Sequence, residues 1–196
     1  MPHFFTMNYS LPKTVSFGDE THEIRYDFRV ILEIITMLSD QELDGEDKTE
    51  ALLEMFYVDP DSIEDIKGAV DACFDFIESK KRQKKSPRLM DWEQDFEYII
   101  APVNRVLGYE ARAVEYDPIQ NTGGVHWWTF LAAYLEIGGD CLYSQIVSIR
   151  DKQERKKKLE KYERDWLKRN GDLVRLKPNY TQAEDDLINE WTKGGG

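Results

Sequence analysis

The stretch "VHWWTFLAAYLEIGGDC", residues 125–141, decides the fold because its apolar positions cover two faces of a helix. Adjacent residues point about 100° apart on a helix, so one apolar face cannot hold both tryptophans in the same way. One face carries Trp127 with Phe130, Leu131 and Tyr134, and the neighbouring face carries Trp128 with Ala132 and Leu135. So wide an apolar arc predicts a central helix over 126–137, closed by Gly138 and Gly139. We expect Trp127 in the core and Trp128 partly exposed at the edge, its N–H on a polar partner.

The residues before this helix predict a hairpin and then a series of capped helices. "TVSFGDETHEIRYD" alternates apolar and polar residues on both sides of a turn, which predicts a β-hairpin over 13–26. Asp27 is a suitable N-cap for a helix in "FRVILEIITMLSD", and "KTEALLEMFY" predicts a second helix. A third helix is predicted from Ser62 as its cap into the lysines near residue 85. Its expected buried face consists of Ile63, Ile66, Val70, Phe74 and Ile77.

The later part of the chain predicts three further segments. Asp91 caps a helix in "WEQDFEYIIAPVNRVLGYEA", where Pro102 predicts a kink or a break. "EYDPIQNTGG" predicts a loop. A helix that begins in "CLYSQIVSIRDKQ" is expected to continue through "ERKKKLEKYERDWLKRN" to Gly171. The chain is thus predicted to be mainly α, a bundle-like domain with a small N-terminal β-hairpin and a long charged helix near the C-terminus.

These boundaries divide the chain into three parts. Residues 1–12 form a flexible leader, and residues 13–149 form the helical domain, with a charged, basic linker at 79–89 that contains Pro87. Residues 150–196 form the charged helix and a flexible C-terminal tail.

Composition indicates an acidic protein with a real core. The 196 residues are 41% hydrophobic and 33% charged, with a net charge of −12. A negative field of this size repels phosphate and argues against general DNA binding. No apolar run approaches the roughly 20 residues that span a bilayer, and the N-terminus lacks a secretory signal pattern. Cys73 and Cys141 define no disulfide framework, so we expect a cytoplasmic protein with reduced cysteines.

No pattern in the sequence predicts catalysis, a metal site or a cofactor. The cysteines and the histidines (His3, His22, His126) show no metal-ligand spacing, and no nucleophile motif or phosphate-binding glycine loop is present. Pairs of carboxylates are expected by chance among 38 acidic residues and are interpreted as solvated helix faces. We therefore expect no catalytic residue, no metal, no cofactor and no enzyme activity.

Two basic stretches interrupt the acidic chain. Residues 79–88 contain six basic residues and no acid, and residues 150–169 contain ten basic against five acidic residues. Phosphate contact is one interpretation, but interleaved acids favour solvated i, i+4 pairs in the second stretch. Leu159, Tyr162 and Trp166 form an apolar stripe there, which either packs on the domain or meets a partner helix. The candidate partner-binding residues are thus Trp128, Leu159, Tyr162 and Trp166.

Three motifs in this chain resemble a family of phage proteins. Leu11-Pro12, Phe17, Ile24 and Asp27-Phe28-Arg29 begin an N-terminal pattern that continues through Leu32, Ile34 and Met37-Leu38 to Asp40. "HWWTF" at 126–130 and "IRDK" at 149–152, the latter followed by a charged segment, complete the pattern. Together they resemble the gene product fifteen proteins of long-tailed phages and prophages of Gram-positive hosts, over roughly residues 8–170.

This resemblance implies a function without an enzyme activity. The resemblance places the family's genes between the tail tube gene and the tape measure gene, a position that resembles the one held by tail assembly chaperones. The resemblance therefore implies a virion assembly protein of the host cytoplasm that binds the tape measure protein, with the tail tube protein and self-association as further possibilities. The alternative is an acidic phage protein that binds and modulates a host defence protein, since the negative charge resembles a phosphate surface. No membrane contact is expected, and nucleic acid is the weaker alternative.

Overall fold

The computed structural model describes residues 10–40, 42–79 and 87–176. Within them the chain is mainly helical with a small N-terminal β-hairpin, as predicted. The strands are β1 (Thr14–Phe17), β2 (Glu20–Glu23), β3 (Tyr116–Asp117) and β4 (Thr122–Gly123). The α-helices are α1 (Phe28–Leu38), α2 (Gly45–Phe56), α3 (Ile66–Ile77), α4 (Trp92–Leu107), α5 (Trp127–Leu135), α6 (Leu142–Glu154), α7 (Lys161–Arg169) and α8 (Gly171–Val174).

The N-terminal hairpin and the caps of α1 and α4 form where the sequence predicts them. β1 and β2 pair antiparallel, with Thr14 opposite Glu23 and Phe17 opposite Glu20. The Asp27 side chain accepts from the Arg29 amide at the start of α1. Short-range signals are sufficient for these elements, because an aspartate N-cap and a two-residue turn act over only three or four residues.

Motifs that lie about 100 residues apart in the sequence meet at the centre of the fold. The Phe28 amide donates to the Val125 carbonyl (2.9 Å), and the Trp127 amide donates to the Tyr26 carbonyl (2.7 Å). The rings of Phe28 and Phe130 stack with centroids 4.5 Å apart and planes within 5°. The start of α1 is therefore fixed directly on the start of α5. α4 contacts α1, α5 and α6, and so lies in the middle of the helical layer.

The prediction for α5 is confirmed for one face and wrong for the other. Trp127 and Phe130 are fully buried, whereas Ala132 and Leu135 are exposed. Trp128 is half-buried, as expected for a residue at the edge of the apolar arc. Only the face that meets α1 and α4 is central.

The prediction for the third helix is wrong at both ends. Ser62 lies in a 3-10 turn, Pro60–Ser62, and α3 begins after Asp65, whose carboxylate accepts from the Gly68 amide at 2.9 Å. The helix ends at Ile77, before the lysines. Of the predicted face, Ile63 and Val70 are buried, and Ile66, Phe74 and Ile77 are half-buried against the core. Ala69, Cys73 and Phe76 are buried in addition, so the centre of the core face is displaced from the predicted one. α3 packs against β1 and α2, and these contacts decide which of its residues are covered.

The long charged helix near the C-terminus is also a wrong prediction. α6 ends at Glu154, and α7 begins only at Lys161. Lys156 has φ +54°, a left-handed backbone that no continuous α-helix contains. Glu163 of α7 accepts a hydrogen bond from Lys152 of α6 at 2.5 Å, which holds the second helix back against the first. Tertiary pairing thus overrides the helical pattern of the charged segment.

Two smaller predictions in the middle of the chain need correction. The region predicted as a loop over 115–124 contains the hairpin β3–β4, with Tyr116 opposite Gly123. α4 continues through Pro102 to Leu107 without a break. The predicted leader, the basic linker and the C-terminal tail lie largely outside the described residues, at 1–9, 80–86 and 177–196. None of the described helices is long and apolar enough to cross a membrane.

Candidate partner-binding groove between α1 and α4

An open groove of about 520 Å³ lies between α1 and α4. Its volume is in the range of sites that bind small ligands or the side chains of a partner. The lining is mostly apolar, and the charged side chains lie at its edges. We call it the α1–α4 groove; its lining residues are Phe28, Arg29, Leu32, Glu33, Thr36, Met37, Trp92, Glu93 and Phe96.

The groove exists because α1 is apolar over more of its surface than the core can cover. Ile31 and Ile34 are fully buried, whereas Leu32 and Met37 are only half-buried. A helix with a single core-facing stripe would carry polar residues at those two positions. Their apolar side chains therefore remain available to a further apolar surface.

Aromatic contacts hold the opposite wall in place. The Trp92 ring lies 5.7 Å from the Trp127 ring and 4.8 Å from the Tyr134 ring, measured between centroids. Trp92 is itself half-buried, so part of its ring is accessible in the groove. Edge-to-face and tilted ring pairs at these distances are favourable and restrict rotation. The α4 wall is therefore rigid rather than adaptable.

A buried ion pair fixes the orientation of the same wall. Asp95, between Trp92 and Phe96 in sequence, is fully buried and accepts from Arg150 of α6 at 2.6 and 3.0 Å. The guanidinium also donates to the carbonyls of Leu89, Leu173 and Val174, so each of its five N–H groups has an acceptor. Arg150 belongs to the "IRDK" motif, and its position explains that motif structurally.

A second buried carboxylate holds the arginine that lines the groove. Asp27 is fully buried and accepts from the Arg29 side chain at 2.7 and 3.1 Å and from the Val125 amide at 2.7 Å. Arg29 also donates to the Val114 carbonyl at 3.0 Å. The hydrogen bond to Asp27 raises the pKa of Arg29 above its ordinary value. The arginine in the groove is thus engaged by the protein itself.

The structure places Trp128, a predicted partner-binding residue, against the end of α3. Its indole donates to the Phe76 carbonyl at 2.8 Å, and its ring stacks on Phe76 with centroids 5.5 Å apart. The Trp127 indole donates to the next carbonyl, that of Ile77, at 2.9 Å. Both tryptophans therefore satisfy carbonyl groups at the C-terminus of α3, which have no partner within the helix.

The other three predicted residues lie on α7 or just before it. Leu159 precedes α7 and is half-buried, as is Trp166. Tyr162 is 66% exposed and lines a cavity of about 470 Å³, of mixed polar and apolar lining, with residues of the α5–α6 loop and α6. The structure thus keeps these three residues together on one side, and places Trp128 elsewhere.

The described residues offer little for nucleophilic or metal chemistry. They contain no group of three or more His, Cys, Asp or Glu side chains that could hold a metal ion. Burial raises the pKa of the Cys73 thiol well above its ordinary value, which disfavours the reactive thiolate. Cys141 caps α6, where its sulfur accepts from the Ser144 amide at 3.5 Å. Most of the basic stretch 79–88 lies outside the described residues.

An acidic surface covers α2, α3 and the segment between them. Residues 40–78 contain fourteen acidic residues and two lysines, a net charge of −12. Every one of the fourteen acidic side chains is exposed. Lys48 is buried, and Lys67 pairs with Asp71 at 2.7 Å. The net charge of this segment therefore equals that of the whole chain, and its acidic side chains are available to a partner.

Sequence reasoning did not identify the α1–α4 groove. Trp92 and Phe96 are in helical register and are therefore predicted to be core residues. The same prediction applies to Leu32. The one sequence feature that points to the groove is that the apolar positions of α1 cover more of the helix than a single core-facing stripe would. Which of those positions remain uncovered depends on how α4 crosses α1.

The comparisons with known proteins assign the chain to a family. Residues 7–176 match the family described as Bacteriophage Gp15 protein. Neither the curated proteins nor the solved structures give a significant match. The matched range includes both walls of the groove, the two buried carboxylates and the paired tryptophans. It also includes the three sequence motifs described above. This chain therefore belongs to the bacteriophage Gp15 protein family.

Proposed function

We propose that this protein is a non-catalytic tail assembly chaperone of the host cytoplasm that binds helical segments of the tape measure protein. The observation that carries the proposal is the α1–α4 groove, an apolar channel between two helices on a strongly acidic protein. The gene order of the family, between tail tube and tape measure genes, supports the choice of partner. The tail tube protein and a second copy of the chain are further possible partners.

The physical requirement for such a chaperone follows from its client. A tape measure chain is long and helical and carries apolar stripes, which aggregate if they are exposed before the tube assembles. An amphipathic helix can place the side chains at i, i+3/i+4 and i+7 in an apolar groove. The net charge of −12 would keep the complex soluble.

Co-expression with the neighbouring tape measure protein tests the partner. We expect a complex that survives purification and a larger soluble fraction of the tape measure protein. The absence of both would exclude this partner.

A pair of variants tests the groove. Leu32→Ser with Phe96→Ser removes apolar surface from both walls and is expected to weaken binding by about 30-fold or more, the effect of a hot spot. Ile119→Ser with Leu135→Ser removes exposed apolar side chains elsewhere and is the matched control. Circular dichroism melts establish that both double variants are folded. Equal binding by the two would exclude the groove.

A second candidate function has its own supporting observation. The fourteen exposed acids of residues 40–78 resemble a phosphate-rich surface and fit a host protein, such as a defence enzyme that binds nucleic acid. Ionic strength separates the two functions. Binding through the acidic surface should weaken steeply with salt, whereas binding through the apolar groove should change little.

A further inference from the structure

Two exposed carboxylates line the α1–α4 groove. Glu33 is exposed on the α1 wall, and Glu93 is exposed on the α4 wall. In the part of the chain that the structure describes, neither side chain forms an ion pair or a hydrogen bond. One negative charge therefore borders the apolar floor on each side.

The only cation among the lining residues, Arg29, is close enough to Glu33 for that charge to help raise the pKa of the arginine, but it forms no ion pair with either carboxylate. Arg29 lies one turn before Glu33 on α1, but its guanidinium is bound to Asp27 through two hydrogen bonds and to the Val114 carbonyl through a third. Asp27 is fully buried, so withdrawing Arg29 toward Glu33 would leave a buried carboxylate uncompensated. The groove edges consequently keep their negative charge.

From this arrangement, and on the basis of the function proposed above, we infer that the groove selects amphipathic helices whose apolar stripe has lysine or arginine on both flanks. A helix with its stripe on the floor places its flanking side chains at the edges, where Glu33 and Glu93 are. Lysine and arginine can also lay their alkyl stems along apolar surface and keep the charged group in water. Acidic flanks would meet the same carboxylates with repulsion.

Two synthetic peptides can test this selectivity. Both have roughly 18 residues, long enough for measurable helix formation. They share leucines at i, i+4, i+7 and i+11, and differ only in the flanking positions, which are lysine in one and glutamate in the other. Fluorescence anisotropy at low salt measures the binding of each peptide to the full chain. We expect the lysine peptide to bind about tenfold more tightly, the effect of two exposed ion pairs near the upper end of their usual strength.

Two double variants locate the origin of the preference. Glu33→Gln with Glu93→Gln removes the edge charges and keeps the side-chain size, and should reduce the preference to about threefold or less. Glu46→Gln with Glu50→Gln removes two exposed charges from α2 and is the matched control for the net charge of the protein. The control should keep the tenfold preference.

The outcomes separate this inference from the function on which it rests. Equal affinity for the two peptides, or a preference that Glu33→Gln with Glu93→Gln does not change, would overturn the charge selectivity and leave the apolar groove as a binding site. No binding of either peptide, together with no tape measure complex, would overturn the proposed function itself. A self-association that the lysine peptide displaces would instead assign the groove to a second copy of the chain and overturn the inference.

Discussion

Replacing Arg150 with methionine is expected to lower the free energy of unfolding by about 3–5 kcal/mol. The side chain is 4% exposed and makes five hydrogen bonds, two to Asp95 and one each to the carbonyls of Leu89, Leu173 and Val174. Methionine fills part of the space but leaves a buried carboxylate without its counter-charge. Because small domains are stable by only about 5–15 kcal/mol, this loss would be a large fraction of the total.

Urea unfolding followed by circular dichroism measures the effect. Arg155→Met is the matched control, since Arg155 pairs with Asp151 on the same helix but has a 54% exposed side chain. The control should change the free energy of unfolding by less than about 1 kcal/mol. Asp95→Asn combined with Arg150→Met should be less destabilising than the sum of the single changes, because neither charge then remains buried alone. A loss for Arg150→Met no larger than that of the control would refute this reasoning.

Three further predictions concern the tryptophan pair, a buried histidine and the turn after α6. Trp127→Ala should cost about 3–5 kcal/mol, the range for buried aromatic residues. Half-buried Trp128→Ala should cost about 1–3 kcal/mol, through the lost stacking on Phe76 and the lost indole hydrogen bond to the Phe76 carbonyl; equal losses in thermal melts would place both tryptophans in the core. His126 accepts from the Trp128 amide through Nδ1, and burial lowers its pKa below the ordinary value of 6.5. Protonation of His126 therefore favours the unfolded chain. The contribution of neutral His126 to the free energy of unfolding should be complete above about pH 6.5 and should fall as the pH drops toward the pKa of His126 in the folded protein. His126→Asn keeps a capping acceptor but does not titrate in this range. The urea midpoint of this variant should therefore change less with pH below about 6.5 than that of the wild-type protein. An unchanged slope would show that His126 is not the titrating group. Lys156→Gly should stabilise the protein by about 1 kcal/mol by relieving the left-handed backbone, whereas an equal gain from Lys156→Ala in the same melts would argue against this cause.

The elements predicted correctly are those whose signals act within a few residues. Asp27 and Asp91 cap the helices that follow them, and the turn after Phe17 closes the first hairpin. Each signal satisfies backbone groups three or four positions away, so the local sequence is sufficient. The edge position of Trp128 also follows from helical geometry alone.

The wrong predictions depend on contacts between distant residues. The segment after Glu154 has continuous helical periodicity, but the chain turns back there, so that α8 packs on α6 and Lys152 pairs with Glu163 of α7. The groove could not be predicted for the same reason, since Leu32 and Phe96 read as core residues until the crossing of α1 and α4 is known. The separate locations of Trp128 and Tyr162 likewise follow from packing rather than from periodicity.

The contact between Asp27 and the Val125 amide has a consequence for folding during synthesis. The two residues are 98 positions apart, so the carboxylate meets this donor only after 125 of the 196 residues have been made. At 5–20 residues per second, that interval lasts roughly 5–20 s. For that time the α1 surface that stacks on Phe130 has no cover from α5. The newly made N-terminal half is therefore the stage at which the protein itself is most exposed to aggregation, and the arrival of residues 125–130 ends that stage.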